Sequence, residues 1–183
     1  MSRIILFFFS ILYLTFNTKT TMSQTVVEFS SKNTVNKWQI VNDDVMGGIS
    51  TSDLYYHNDN YAVFSGNISL KNNGGFASIR TSFPSIYAYS KKSIKLEIKG
   101  DGKDYQLRIK RNRNDYYSYV KNFSTNNKWQ LITLELSDFY PSFRGRKLNF
   151  NNFDESYFQQ ISILIANNIE ENFQLFIKKI YLE

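Results

Sequence analysis

Two segments hold the residues of this chain that could do chemistry, and each contains a pair of adjacent glycines. In residues 42–50, Asp43 and Asp44 precede Gly47 and Gly48. Neighbouring carboxylates beside a turn could ligate calcium, or supply a hydrolase with its acid and base. The chain has no EF-hand spacing, and one sequence cannot pair either acid with a second carboxylate across a cleft. Both chemistries therefore stay open as alternatives, and the sequence predicts neither.

The second segment, residues 72–80, repeats the adjacent glycines as Gly74 and Gly75. Adjacent glycines suit backbone with positive φ or the close approach of another backbone. Both pairs lie among Asn, Asp and Ser beside a strand pattern, which predicts two hairpin turns. With two downstream arginines, the segments supply the candidate binding residues Asp43, Asp44, Met46, Gly47, Gly48, Ser50, Asn73, Gly74, Gly75, Phe76, Arg80, Arg108 and Arg144. We expect Arg80 or Arg108 to pair with Asp43 or Asp44 and so to lock the two loops together.

The sequence lacks the residues that most catalytic and metal sites require. There is no cysteine, and the sole histidine, His57, lies beside the turn signal Asn58-Asp59-Asn60. A Ser-His-Asp site would have to use that histidine, and no nucleophile elbow accompanies it. Zinc sites need more His or Cys ligands than this. Gly47-Gly48 is not a dinucleotide-binding fingerprint either. We predict no enzyme activity, no catalytic residues, no metal and no cofactor.

Aromatic and basic residues further along the chain suggest binding surfaces. Tyr116, Tyr117 and Tyr119 fall in one predicted strand, where aromatic faces could stack on sugar rings or pack across strands. Arg144 follows a strand within residues 138–146, where it is expected to anchor the loop by pairing with a carboxylate. The formal net charge is +6, but the basic residues are scattered apart from a small cluster at 110–113. Nucleic-acid binding requires a denser basic face, so it is not predicted.

The N-terminal 23 residues have the pattern of a secretory signal peptide. Arg3 precedes an apolar run from Ile4 to Phe16, and small and polar residues follow. This run is shorter than the roughly 20 residues that a spanning helix needs. We predict export to the periplasm, cell envelope or extracellular space; the alternative is an uncleaved segment that anchors the protein in the membrane. Residues 24–183 then form one domain.

Period-two alternation dominates residues 24–183, as in Ser93–Lys99, where Ile94, Leu96 and Ile98 share one face. Such alternation indicates half-buried antiparallel strands. Further strands are predicted at 26–29, 38–41, 53–56, 61–65, 68–70, 76–80, 105–110, 129–136, 160–166 and 173–182. Hairpins are predicted at 58–60, 99–103 and 126–127, and one or two helical turns at 154–160. This pattern predicts an all-β jelly-roll sandwich.

The glycine segments, with their flanking residues, resemble the complex I intermediate-associated protein 30 family. Its motif of a tryptophan and then Asp-Asp-x-Met-Gly-Gly-x-Ser corresponds to Trp38 and residues 43–50. The next motif corresponds to Phe64, Gly66 and residues 73–80. Gly100-Asp101-Gly102 with Tyr105 and Arg108, Trp129, and the loop at 138–145 are similar to later family segments. The resemblance covers about residues 26–183.

The resemblance implies a galactose-binding-like β-sandwich and a non-enzymatic role. Mitochondrial members of the family chaperone assembly intermediates of respiratory complex I, and the motif carries no catalytic set. This chain differs by its export signal. We therefore predict an interaction module that binds a protein client or assembly intermediate. The alternatives are a carbohydrate-binding module of the cell envelope and an envelope hydrolase.

Overall fold

A computed structural model describes residues 22–183 of the chain. The predicted signal peptide, residues 1–23, lies outside this range except for Met22 and Ser23, so it stays a prediction. Within residues 22–183, no helix has both the length and the apolar character needed to span a bilayer. This part of the chain forms two antiparallel sheets packed face to face, which confirms the all-β sandwich.

The first sheet has six strands, and its centre is the long C-terminal strand. Its members are β1 (Gln24–Glu28), β3 (Thr51–His57), β4 (Tyr61–Ile68), β6 (Ser93–Lys99), β9 (Trp129–Glu135) and β13 (Glu171–Leu182). The order is β3-β4-β13-β6-β9, and β1 pairs with the C-terminal half of β13. Because every pair is antiparallel, the alternating side chains can fill a core on one face and meet solvent on the other.

The second sheet has seven strands in the order β11-β10-β8-β7-β12-β5-β2. Its members are β2 (Gln39–Asn42), β5 (Ala77–Tyr87), β7 (Asp104–Lys110), β8 (Ser118–Ser124), β10 (Tyr140–Phe143), β11 (Arg146–Lys147) and β12 (Tyr157–Ile165). The helix α1 (Lys32–Val35) and three short 3₁₀ helices, Asp43–Met46, Lys71–Asn73 and Leu136–Asp138, lie in the connections.

The core lies between the two sheets and is built mainly from the alternating positions of their strands, with Phe29 and Phe139 added from the connections. Its largest fully buried side chains include Phe29, Phe64, Phe139, Phe158 and Tyr105. Trp38 is also buried, with its ring 5.6 Å from that of Phe29. Four aromatic residues of the family motifs, Trp38, Phe64, Tyr105 and Phe139, therefore fill this core, whereas Trp129 is partly exposed.

The predicted hairpins are wrong at both glycine pairs. Gly47-Gly48 joins β2 to β3, and Gly74-Gly75 joins β4 to β5, so each pair lies where the chain crosses between sheets. The predicted hairpins at 99–103 and 126–127 are sheet crossings too. Residues 58–60 do form a hairpin, between β3 and β4. Turn residues mark where a strand ends, but they do not reveal which sheet the chain enters next.

Two local predictions also differ from the structure. The helical turns expected at 154–160 are absent, because β12 begins at Tyr157, where it pairs with Tyr87 of β5. Pairing with a distant strand outweighs the local preference there. In place of the two strands expected at 61–65 and 68–70 there is the single strand β4, which continues through Gly66 and ends at Ile68.

Candidate ligand-binding cleft

Asp43 is the residue that joins the two glycine segments. It begins the 3₁₀ helix after β2, its side chain is fully buried, and it faces the crossing that carries Gly74 and Gly75. Its Oδ1 accepts a hydrogen bond from the backbone N–H of Ser50 at 2.9 Å. Its Oδ2 accepts from the backbone N–H of Gly75 at 2.6 Å and of Phe76 at 3.2 Å, and from the Ser50 hydroxyl. One carboxylate thus connects both crossings.

Ser50 extends this network to the end of β4. Its Oγ accepts the backbone N–H of Ser69 at 3.0 Å while its hydroxyl donates to Asp43. The network contains no cation that neutralises the carboxylate, so backbone dipoles stabilise its charge. Burial by itself raises the pKa of the Asp43 carboxyl, but the hydrogen bonds from Ser50, Gly75 and Phe76 outweigh burial and lower the pKa below its ordinary value.

The expected pairing of Arg80 or Arg108 with Asp43 or Asp44 is therefore wrong, although the loops are locked together as predicted. Backbone N–H groups take the place of the arginines because the crossings bring main chain, not long side chains, against the buried carboxylate. Asp43 is also an unsuitable calcium ligand, since protein donors already surround both of its oxygens. Asp44 is exposed.

The two glycines of the first segment are required for different reasons. Gly47 follows the 3₁₀ helix with φ +90°, a conformation that L side chains rarely adopt. Gly48 has an ordinary φ, but a Cβ there would lie 2.8 Å from the Asp43 Cβ and still closer to the carboxylate. The second segment repeats this arrangement in reverse order. A Cβ on Gly74 would lie 2.6 Å from Oδ2 of Asp43, and Gly75 has φ +127°.

A cleft of about 510 Å³ lies beside these crossings, on the outer face of the seven-stranded sheet. Its floor is made by strands β5, β12, β7 and β8, and its ends by the second glycine segment and the β10–β11 turn. Eight of the thirteen candidate residues predicted from sequence line it: Met46, Asn73, Gly74, Gly75, Phe76, Arg80, Arg108 and Arg144. Asp43, Asp44, Gly47, Gly48 and Ser50 do not; Asp43, Gly48 and Ser50 instead support the wall from behind.

The strand register arranges the floor in rows of polar side chains. Arg80 of β5 pairs with Ser162 of β12, which pairs in turn with Arg108 of β7. Neighbouring strands lie about 4.8 Å apart, so the two arginine Cα atoms are about 10 Å apart. Lys110 is two residues beyond Arg108 on the same face, about 7 Å along the strand. Gln160 of β12 pairs with Lys110, and these two residues form the adjacent row.

Neutral oxygens, not carboxylates, hold the three cations of the floor. Arg108 donates from Nε to the Gln106 amide oxygen at 3.0 Å, and Arg80 donates to that of Gln39 at 3.3 Å. The Lys110 ammonium donates to the Asp115 carbonyl at 2.6 Å. Burial lowers the pKa of Arg108, and burial together with the charge of Arg80 lowers the pKa of Lys110.

The rim of the cleft is partly aromatic. The Tyr116 side chain is 62% exposed, and its ring meets that of Phe143 edge-on at 5.3 Å. Arg144 has φ +47° and places its guanidinium over the Phe143 ring, 5.3 Å from the centroid. It has no carboxylate partner within residues 22–183, so the predicted salt-bridged anchor is wrong. Arg144 lies in the β10–β11 turn and lines the rim of the cleft instead.

The predicted tyrosine platform is reduced to one residue. β8 begins at Ser118, so Tyr116 and Tyr117 precede the strand, and Tyr119 is buried against Phe153. Sequence reasoning also missed the neutral polar residues of the floor, namely Ser78, Ser118, Ser142, Gln160 and Ser162. They lie at outward positions of strands in which apolar and polar residues alternate. This alternation indicates which side chains face outward, but it does not indicate which strands lie next to each other.

Comparison with known proteins identifies a matching family model and solved structures of the same fold. The family model for complex I intermediate-associated protein 30 matches residues 27–177. No curated protein matches the chain at a significant level. Among solved structures, a family 11 carbohydrate-binding module from Clostridium thermocellum, in complex with a β-1,3-1,4-mixed-linked tetrasaccharide, superposes with a TM-score of 0.67 at 16% identity. The match covers 87% of this chain and 94% of that module.

Two further structures have the same fold. The family 11 module of a cellulosomal cellulase from Clostridium thermocellum gives a TM-score of 0.66 at 16% identity, covering 88% of this chain and 94% of that one. An exo-β-agarase gives 0.55 at 11% identity, covering 87% of this chain but only 25% of the agarase chain. These likenesses confirm the jelly-roll, galactose-binding-like sandwich.

Proposed function

The chain belongs to the complex I intermediate-associated protein 30 family, and we propose that it is a non-catalytic binding module that holds a carbohydrate chain in the cleft. The observation that carries this proposal is the open, polar floor of the cleft, with an exposed tyrosine at its rim. The family and the carbohydrate-binding modules are both non-catalytic domain types. The buried Asp43 is fully engaged by its own loops, which leaves it no role as a general acid or base.

The lining of the cleft suits sugar hydroxyl groups. Serine hydroxyls and the Gln160 amide both donate and accept hydrogen bonds, as do sugar hydroxyls. The Tyr116 ring offers an apolar face beside a polar tip, and a pyranose ring also has apolar and polar faces. The two family 11 structures with this fold are carbohydrate-binding modules, one of them in complex with a tetrasaccharide.

A glycan array followed by calorimetry tests this function. We expect residues 24–183 to bind a defined class of polysaccharide, and Tyr116→Ala to weaken that binding about tenfold through the lost ring contact. Tyr89→Ala is the matched control, because the Tyr89 side chain is 65% exposed and lies outside this cleft. Its affinity should match that of the wild type. Failure to bind any polysaccharide, or equal losses in the two variants, contradicts the proposal.

A second candidate function is the binding of a protein client, and a different surface favours it. Three neighbouring connections expose large apolar side chains, which we call the apolar loop end: Val45, Met46, Ile49, Leu70 and Ile169. Asp43 ties the first two connections together, and Ser69 contacts Glu170 of the third at 3.4 Å. Clustered exposed apolar residues often mark protein interaction sites. The family name describes a protein that associates with an assembly intermediate of complex I.

Affinity capture from the native extract tests the protein client. The wild-type domain should recover one defined protein, and the double variant Val45→Ser, Ile49→Ser should lose it because contact area at the apolar loop end is removed. Leu131→Ser is the control, since Leu131 is 54% exposed on the six-stranded sheet. Retention of the client by the double variant argues against this surface. Export of the protein remains part of either proposal.

A further inference from the structure

The part of the cleft that residues 22–183 form concentrates positive charge. Arg80, Arg108 and Lys110 lie on its floor and Arg144 on its rim, whereas no Asp or Glu of this range lines it. Elsewhere in residues 22–183, lysine and arginine side chains form six ion pairs with carboxylates: Lys95–Glu183, Lys103–Asp101, Arg111–Glu155, Lys121–Asp138, Lys178–Glu97 and Lys179–Glu28. None of the four cleft cations forms such a pair within this range.

This arrangement is unfavourable without a ligand. Arg80, Arg108 and Lys110 are all partly buried, and Arg80 and Lys110 are close enough for their charges to repel, which the nearby Asp115 charge offsets only in part at Lys110. Burial and a like charge both disfavour an ionised group unless an opposite charge compensates. The hydrogen bonds that the guanidinium groups donate to the amide oxygens of Gln106 and Gln39 orient these groups but leave their charge uncompensated. An anion entering the cleft would supply the missing charge.

We infer that the cleft selects an anionic polysaccharide, one whose sugar rings carry carboxylate or sulfate groups; this inference rests on the proposed carbohydrate-binding function. Guanidinium groups match carboxylate and sulfate oxygens with paired hydrogen bonds. The Cα atoms of the floor cations are about 7 to 10 Å apart, so the positive charge is spread over the floor, which suits charges repeated along a chain better than a single small ion.

An acidic peptide also carries repeated charges, and the floor fits it less well. Peptides bind β proteins mainly by adding a strand to a free sheet edge. Here β5, β12, β7 and β8 are all paired on both sides, so their backbone groups are already used. The floor presents serine and glutamine side chains between the cations, and these suit the hydroxyl groups of a sugar.

Calorimetry with a matched pair of ligands tests the inference. Residues 24–183 are titrated with polygalacturonate and with the same polymer after its carboxylates are reduced to alcohols. We expect the charged polymer to bind at least about tenfold more tightly, and the difference to shrink in 1 M salt, where the screening length falls to about 3 Å. Poly-glutamate serves as the acidic peptide, and dextran sulfate as the sulfated polymer.

Variants that remove charge test whether the affinity for the charged polymer depends on the cations of the cleft. Arg80→Gln with Arg108→Gln should lose about 10- to 100-fold in affinity for the charged polymer, because two charge-assisted contacts disappear. Lys32→Gln with Lys128→Gln removes the same net charge from exposed positions outside the cleft and should change affinity less than twofold. Should the first double variant melt early, Arg80→Gln with the exposed Arg144→Gln replaces it.

The outcomes separate the inference from the proposed function. Preference for polygalacturonate or dextran sulfate, lost in the cleft variant, supports both. Equal binding of the charged and reduced polymers overturns the anionic inference and leaves carbohydrate binding intact. Binding of poly-glutamate alone overturns both in favour of an acidic peptide, and binding of no polymer overturns both.

Discussion

Replacing Asp43 with alanine is expected to lower the free energy of unfolding by about 3 to 5 kcal/mol, the largest effect we anticipate for one side chain. The carboxylate accepts four hydrogen bonds, three of them from the backbone N–H groups of Ser50, Gly75 and Phe76. Alanine would leave these donors without a partner in a buried position. Both sheet crossings would lose an anchor that they share, and the Ser50 hydroxyl, which also contacts Ser69 of the second crossing, would lose its carboxylate partner.

Chemical denaturation of residues 24–183 measures this effect, and the sequence supplies its own control. Asp44 is the adjacent residue, has the same charge, and is exposed. Asp44→Ala should therefore change the unfolding free energy by no more than about 0.5 kcal/mol. Similar losses in the two variants would show that net charge, and not the Asp43 network, stabilises this end of the sandwich.

The Asp43 carboxylate also predicts a pH dependence. Its folded-state pKa lies below the ordinary 3.8, so the folded protein binds its proton less readily than the unfolded chain does. The stabilisation from this shift is fully present above about pH 4 and is lost as the pH falls through the folded-state pKa. Asp43→Asn removes this component, so its unfolding free energy should fall less steeply in acid than that of the wild type.

Replacing Gly48 with alanine is expected to cost roughly 3 kcal/mol, the second largest effect. A Cβ at this position would overlap the side chain of Asp43, including its carboxylate. Either the carboxylate or the 3₁₀ helix must shift, and the hydrogen bonds to Gly75 and Phe76 would weaken. Thermal and denaturant unfolding of the purified variant give the loss directly.

The neighbouring glycine provides the comparison for Gly48. A Cβ on Gly47 meets no atom within 4 Å, but its φ of +90° disfavours any side chain. Gly47→Ala should therefore cost only about 1 kcal/mol, from backbone strain alone. In the background of Asp43→Ala the Gly48→Ala cost should shrink, because the overlapping carboxylate is gone. Equal costs in both backgrounds would mean that Gly48 does not act through Asp43.

Strand alternation predicted much of the fold because it depends only on which positions of a strand face the core. Ser93–Lys99 was predicted with its observed bounds, and most other predicted strands overlap observed ones. The missed strands β10 and β11 are short and lie at the sheet edge, where few core contacts impose a pattern. Jelly-roll strand order puts Arg80 and Arg108 in one row, although they belong to strands that are not consecutive.

The sequence by itself determined the sandwich class, the family, and the two glycine segments as points where main chain must approach closely or turn with positive φ. These properties follow from residue type and local spacing. Only the tertiary structure decided that the segments are sheet crossings, that backbone N–H groups and not arginines hold Asp43, and that the arginines face a cleft. The physical reason is that the partners of a carboxylate and the lining of a cleft come from segments that are distant in sequence and are brought together by packing. The alternation along one strand carries no information about which strand lies beside it.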